Sequence, residues 1–141
     1  MQKNKLEDFS EDFPILLEAG FVAVKQLDET SARHLFDAAQ LLDPESNAPK
    51  IGLGYIALNK LEVKEATEIF TEITEEEPDN DLAVTFLGIC YLLTKAKRSE
   101  GEKMIQEVIE KTSDETIKNL GNIALEWAEK DLKKLKSPFV K

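Results

Sequence analysis

The sequence predicts an all-α protein, a right-handed helical-repeat solenoid of about three units with a C-terminal capping helix. Gly20, Gly54 and Gly88 are spaced by 34 residues, and other small and aromatic residues follow the same period. Apolar residues within each interval recur at i, i+4 and i+7, which is the spacing of one helix face. No segment alternates between apolar and polar residues as a half-buried strand would. A period of this length is typical of stacked helix pairs.

The predicted helices follow one another with short turns between them. We expect helices near residues 14–26, 30–42, 48–60, 64–76, 82–95 and 99–111, and a longer seventh helix near 114–136. Pro44 and Pro78 end the second helix of a pair, because proline disfavours helical geometry in the residue before it. The segments 27–30 and 59–62 supply the turns within pairs.

Small residues mark the places where paired helices approach each other. Ala32 and Ala66 follow the first two glycines at one common interval, and Phe36 and Phe70 come one turn later. The small residues allow close contact between two helices, and the phenyl rings fill the adjoining gap. The third unit departs from the strict period by one residue, which an extra residue in the turn at 94–99 explains.

Residues 13–136 are expected to form a single domain, preceded by an N-terminal arm (1–12) and followed by a tail (137–141). The units are expected at residues 13–46, 47–80 and 81–114, with the capping helix at 114–136. This helix has an apolar stripe, and a terminal repeat must cover the last apolar face while it exposes polar residues to water. The stripe consists of Ile117, Leu120, Ala124, Trp127, Ala128 and Leu132. Trp127 is therefore expected in the core.

The repeat pattern resembles that of the tetratricopeptide repeat family over residues 13–113. The residues that carry the resemblance are Gly20, Ala32, Phe36, Ala39, Pro44, Leu53, Gly54, Ala57, Ala66, Phe70, Pro78, Leu87, Gly88 and Tyr91. The aromatic residue that the family has near the start of each unit is missing, since Leu16, Lys50 and Val84 stand there. The resemblance implies helix–turn–helix units that stack into a curved array and bind a protein segment.

The resemblance also implies which side chains line the inner face of the array. The predicted groove residues are Leu17, Phe21, Val24, Ile51, Tyr55, Leu58, Ile89, Leu92 and Leu93. So many apolar residues on one face favour a hydrophobic groove that accepts an amphipathic helix or an apolar extended segment. Tyr55 is the expected anchor, because it is central and aromatic. The alternative is that these side chains form interhelical core or are covered by residues 6–13.

A groove of this composition speaks against recognition of a C-terminal carboxylate. Repeat proteins that hold such carboxylates resemble each other in lining the groove with Lys, Arg and Asn, since a carboxylate needs charged and amide donors. Among the inward positions here, only Lys25 and Asn59 supply such donors.

The composition disfavours several other classes of protein. The chain has 18 Lys and Arg against 28 Asp and Glu, a formal net charge of −10. We expect no binding to nucleic acid or an anionic membrane, because phosphate binding depends on Lys and Arg. No apolar stretch approaches the ~18 residues of a membrane span, and the N-terminus lacks the features of a secretory signal. A single cysteine cannot form an internal disulfide, which favours a cytoplasmic location.

We expect neither enzymatic activity nor a cofactor or metal. His34, the only histidine, has no nucleophile near it in sequence and is expected at the surface. Cys90 lies in an apolar run and is expected to be buried and inert. The Gly52-Leu53-Gly54 segment lacks the preceding strand and the further glycine of a phosphate-binding loop. No His or Cys cluster has metal-ligand spacing.

A small acidic protein of three such repeats with an apolar groove is similar to type III secretion chaperones. Two branches fit, the needle-subunit chaperones and the translocator chaperones, and the short N-terminal arm with one capping helix favours the first. The resemblance implies that the groove holds the amphipathic helix of a needle subunit, beside a small helical co-chaperone, and prevents premature assembly. A general repeat scaffold or a translocator chaperone is the alternative. The free protein is expected to self-associate.

Overall fold

The computed structural model describes residues 10–132, and this part of the chain contains seven α-helices and no strand. The helices are α1 (Phe13–Lys25), α2 (Glu29–Leu42), α3 (Ala48–Asn59), α4 (Val63–Glu76), α5 (Asp81–Leu92), α6 (Arg98–Lys111) and α7 (Glu115–Trp127). Short 3-10 turns precede α1 (Ser10–Asp12) and α6 (Lys95–Lys97), and a π-helical turn (Ala128–Leu132) follows α7. The all-α prediction is confirmed for these residues. Residues 1–9 of the predicted arm, 133–136 of the predicted capping helix and the predicted tail lie outside the described residues.

Side chains and prolines set the helix ends. Asp28 and Asn80 precede α2 and α5, and their side-chain oxygens accept hydrogen bonds from the Ser31 and Ala83 N–H groups, each at 3.1 Å. These bonds satisfy donors that the first helical turn cannot pair internally. Pro44 lies just beyond the end of α2, as the sequence predicts.

The prediction for the fifth helix is three residues too long, since α5 ends at Leu92 instead of 95. Two side chains bond to carbonyl oxygens near this end. The Thr94 hydroxyl donates to Cys90 O (3.0 Å), and Arg98 Nε donates to Leu92 O (3.0 Å). Because these bonds satisfy carbonyls of the last turn, the helix stops without leaving them unpaired.

The chain divides between Glu65 and Ala66 into two compact units, each with its own core. In the first unit α1, α2 and α3 pack on one another. Their core consists of Ala23, Val24, Ala32, Phe36 and Ile56.

The Phe36 ring occupies the space that two glycines leave in the first unit. A Cβ atom added at Gly20 would lie 2.5 Å from Phe36 Cε1, and one added at Gly52 would meet the same ring. The predicted pairing of a glycine with the following phenylalanine is confirmed at Gly20. The second partner, Gly52, was not predicted. Phe36 therefore connects all three helices of this core.

The second unit contains the remainder of α4 together with α5, α6 and α7, and its core joins Leu92, Ile105, Ala124 and Ala128. A Cβ added at Gly88 would lie 2.6 Å from Ile105 Cγ1, so Ile105 takes the place that Phe36 has in the first unit. The one-residue shift predicted for the third unit is confirmed by this pairing.

Trp127 is 38% exposed, so the prediction that it lies in the core is wrong for a large part of its ring. The buried residues of α7 are the small ones, Gly121 and Ala124, and they are followed by the buried Ala128. Small side chains at these positions allow close packing of α7.

Candidate partner-binding site

The nine predicted groove residues fall into both units and differ in exposure. Val24, Ile51 and Leu92 are at most 4% exposed. Val24 and Leu92 belong to the cores described above, so these two follow the alternative of interhelical packing. Little of their surface is exposed. The other six are half-buried, namely Leu17, Phe21, Tyr55, Leu58, Ile89 and Leu93.

Three of the half-buried residues form a continuous patch on the first unit, which we name the aromatic surface (Leu17, Phe21 and Tyr55). Leu17 and Phe21 lie one turn apart on α1, and Tyr55 lies on α3. The Phe21 and Tyr55 ring centroids are 5.7 Å apart with the planes tilted by 50°. All three side chains pack on the core of the first unit. The core thus holds them in place while part of each remains accessible.

Phe21 links the aromatic surface to the core. Its ring meets the edge of the buried Phe36 ring at 5.1 Å between centroids, with an interplanar angle of 69°. An edge-to-face pair of this kind is worth roughly 0.5–1.5 kcal/mol beyond the area it buries. Contacts with Phe36 and Tyr55 therefore orient the Phe21 ring.

In the second unit, Ile89 and Leu93 pack partly buried against the core around Leu92. Ile89 lies in the last turn of α5, and Leu93 lies just beyond the end of this helix. The structure therefore brings together the predicted residues Leu17, Phe21 and Tyr55 in one unit and Ile89 and Leu93 in the other.

A pocket of about 200 Å³ lies where α1 and α3 end in the first unit, and we name it the turn pocket. Its lining is Val24, Leu27, Glu29, Ile56, Asn59 and Lys60. The apolar side chains come from α1, the turn after it and α3, whereas the polar ones surround them. Sequence reasoning predicted Val24 and Asn59 as inward positions but did not predict this pocket.

Leu27 and Leu61, which are 34 residues apart, share an unusual backbone conformation. Their φ angles are 61° and 59°, in the left-handed region that favours glycine. In the first turn the Asp28 N–H donates to Ala23 O and the Leu27 N–H donates to Val24 O, at 2.9 and 3.0 Å. This pattern closes a helix end in the way that glycine usually does. The same two bonds recur after α3.

A chain of charged side chains borders the turn pocket. Lys60 Nζ lies 3.0 Å from Glu29 Oε1 and 2.9 Å from Glu62 Oε1, and Arg33 Nε donates to Glu29 Oε2 at 2.8 Å. The hydrogen bond from Arg33, followed by that from Lys60, lowers the pKa of Glu29. The hydrogen bond that Glu65 shares with Glu62 raises the pKa of Glu65 above its usual value.

The residues considered for catalysis are placed as the sequence predicts. His34 is exposed, and Cys90 is fully buried. Burial raises the pKa of the Cys90 thiol to about 11, so the thiol is neutral at physiological pH and a poor nucleophile. Among residues 10–132, no group of three or more His, Cys, Asp or Glu side chains could hold a metal ion. Among the helices described, none combines the length and the apolar character that a membrane span requires.

Comparison of the chain with protein-family models, with curated proteins and with solved structures found no match. The class of this protein must therefore be inferred from its own sequence and structure. Helix pairs with a 34-residue period carry a half-buried aromatic surface on the first unit, with the turn pocket at the helix ends beside it.

Proposed function

We propose that the protein binds a segment of another protein through the aromatic surface. The observation that carries this proposal is the contact of Phe21 and Tyr55, two large rings held by the core but only half-buried. Aromatic residues in such positions are favoured as interface hot spots, because they bury a large area with little loss of conformational freedom. The contact with Phe36 orients the Phe21 ring in the free protein.

The partner that this surface fits is an amphipathic helix or an apolar extended segment. An apolar side chain buried on binding contributes roughly 1.5–3 kcal/mol, so a few such contacts suffice for useful affinity after ordering costs are subtracted. Negatively charged partners such as nucleic acid are disfavoured, because a chain with net charge −10 repels them.

We further propose that this binding is that of a tetratricopeptide-repeat chaperone, and that the partner is a needle subunit of type III secretion held before assembly. What supports this is the 34-residue period, the acidic composition and the apolar surface. A general repeat scaffold and a translocator-class chaperone share these features. A chaperone differs from a scaffold in that it keeps its partner from self-assembly.

Capture from native cells with tagged variants tests the proposed function. We expect wild-type protein to capture a small helical protein and Tyr55→Glu to lose it, because the substitution places a charge where binding removes water. Ile123→Glu is the matched control, because this substitution introduces the same charge elsewhere. Ile123 is an exposed apolar residue of α7, 65% accessible. Circular dichroism of both variants checks that the fold is intact.

The identity of the captured protein decides the rest. Release of the partner from wild-type protein followed by its assembly into filaments would support the chaperone proposal. Capture of the same proteins by Tyr55→Glu would show that the aromatic surface is not the binding site. A captured partner that does not self-assemble would favour the scaffold.

A further inference from the structure

Leu27 and Leu61 combine two unfavourable features at the same position of the period. Both have a left-handed backbone conformation, and their side chains are 85% and 72% exposed. Glycine would adopt this conformation without strain. An exposed leucine side chain also does not contribute the free energy that burial of an apolar group provides. An unfavourable conformation kept at two equivalent positions points to a function of the side chain itself.

The turn pocket beside Leu27 continues the aromatic surface along α1 and α3. Val24 follows Phe21 by one turn on α1, and Asn59 follows Tyr55 by one turn on α3. The Asn59 amide donates to Tyr55 O at 2.8 Å, which fixes this side chain at the border of the pocket. A helix that lies on the aromatic surface and continues in this direction therefore reaches the pocket.

The two turns of the first unit lie side by side. The ion pair between Lys60 and Glu29 joins the turn after α3 to the start of α2, at 3.0 Å. Leu27 and Leu61 belong to these joined turns. Leu27 lines the turn pocket, and Leu61 directly follows Lys60, which also lines it.

Within the connected group of charged side chains beside the turn pocket, three carboxylates face two cations. Glu29, Glu62 and Glu65 form one connected chain with Arg33 and Lys60. Glu62 and Glu65 share a hydrogen bond, which raises the pKa of Glu65 because two carboxylates this close disfavour a second negative charge. A cation brought by a partner would remove this repulsion.

We propose that the turn pocket receives a large aliphatic side chain at the end of the partner's apolar stripe. Leu27 and Leu61 cover this side chain, and a lysine or arginine next to it in the partner pairs with Glu62 and Glu65. The inference rests on the proposed function and specifies its partner chemistry. The partner is an amphipathic helix whose apolar stripe ends in an aliphatic residue flanked by basic residues.

Two synthetic helical peptides of equal length serve as probes. One has leucine at i, i+3, i+4 and i+7 with lysine at all other positions, and the second has glutamate in place of each lysine. Fluorescence anisotropy at physiological ionic strength measures their affinity for the full chain. We expect the lysine peptide to bind at least about tenfold more tightly than the glutamate peptide. Equal binding of the two peptides would overturn the basic flank of the proposal.

Substitution of Leu27 separates binding from stability. We expect Leu27→Gly to lower the affinity for the lysine peptide by about tenfold, because one apolar contact is lost. The melting temperature of the protein should rise. Leu27→Asn, which also tolerates the left-handed conformation, should weaken the peptide to a similar extent. Leu41→Ala is the control, because Leu41 is an exposed leucine of α2, 68% accessible, and should leave the affinity unchanged.

Substitution of Glu65 tests the charge. We expect Glu65→Gln to weaken the lysine peptide by about threefold and to reduce the salt dependence of its binding. Glu45→Gln removes an exposed carboxylate from the turn between α2 and α3 and should have no effect. An equal loss in both variants would mean that only net charge matters, which would overturn the specific pairing.

Two combinations of results separate this inference from the proposed function. If Leu27→Gly and Leu61→Gly bind the lysine peptide like wild type and Tyr55→Glu does not bind, the pocket inference is wrong and the proposed function stands. If Tyr55→Glu binds normally and Leu27→Gly does not, the aromatic surface is not the site and the pocket acts alone. Normal binding by all three variants overturns both.

Discussion

Phe36 and the two glycines that face it show how far the period predicts individual contacts. Gly20 pairs with the following phenylalanine as the repeat predicts. Gly52 contacts the same ring, but the residues 34 positions before and after it are Glu18 and Phe86. The period therefore does not single it out. Gly52 is required where α3 packs on the preceding helix pair. A comparison of equivalent positions in the period does not detect this contact.

The left-handed leucines lead to a prediction about stability. Leu27→Gly and Leu61→Gly should each raise the free energy of unfolding by about 0.5–1 kcal/mol. The relief of left-handed strain, roughly 1–2 kcal/mol, exceeds the extra conformational entropy of glycine in the unfolded chain. Urea unfolding followed by circular dichroism measures the effect. A lower unfolding midpoint in either variant would show that the leucine side chain stabilises the free protein.

The burial of single groove residues could be predicted only in part. Leu17, Phe21 and Tyr55, three of the predicted groove residues, are half-buried and adjacent. Val24 and Leu92 are also apolar and lie on helices with few charged residues, yet they are buried. When a helix is apolar on most sides, its periodicity does not tell which side is covered.

At the scale of elements, the crossing of α5 and α6 depends on close contact between their backbones. A Cβ atom added at Gly101 would lie 2.6 Å from the carbonyl oxygen of Gly88 and 2.9 Å from the backbone nitrogen of Leu92. Gly121 on α7 faces side chains instead, with Ile109 Cγ1 at 2.9 Å from such a Cβ. Side chains can adjust by rotation, whereas a helix backbone cannot.

These two glycines should therefore respond differently to substitution by alanine. We expect Gly101→Ala to destabilise the protein by about 2 kcal/mol or more, because α5 and α6 must move apart. We expect Gly121→Ala to be close to neutral, since the gain in helix propensity of up to about 1 kcal/mol offsets the adjustment of the isoleucine. Thermal and urea unfolding of both variants measure the difference. Equal effects would contradict the close backbone contact at Gly101.

The helices themselves could be predicted from the sequence because each has a strong apolar period bounded by turn residues. The errors have local causes. The fifth helix ends early, since Thr94 and Arg98 satisfy its last carbonyl groups through their side chains. Trp127 is partly exposed, whereas the buried residues of α7 are Gly121 and Ala124. Hydrogen bonds from single side chains and the size of neighbouring residues are not visible in a period.

At the scale of the whole molecule, the net charge and the apolar surface have opposite effects on self-association. The net charge of −10 keeps molecules apart, whereas a half-buried aromatic patch favours association. The turn pocket combines both kinds of group within one site. The left-handed conformations of Leu27, which lines the pocket, and of Leu61 could not be predicted, because no residue type at these positions indicates them.

The free protein should bind an uncharged hydrophobic dye and self-associate at high concentration. We expect Nile red fluorescence to increase with wild-type protein and to change little with salt, because apolar burial is not screened. Tyr55→Glu should reduce the fluorescence, and size-exclusion chromatography should show less association. Ile123→Glu, which adds the same charge on α7, should have a smaller effect. A loss that is equal in both variants would show that the dye does not report the aromatic surface.

The contact of Phe36 with two glycines also restricts the order in which mutations can accumulate. A side chain can be gained at position 20 or 52 only after the ring at position 36 has been replaced by a smaller group, since the opposite order passes through an unstable protein. In an evolving lineage these three positions should therefore change together. In the second unit a Cβ at Gly88 would lie 2.6 Å from Ile105 Cγ1, so the same order of substitutions applies to positions 88 and 105.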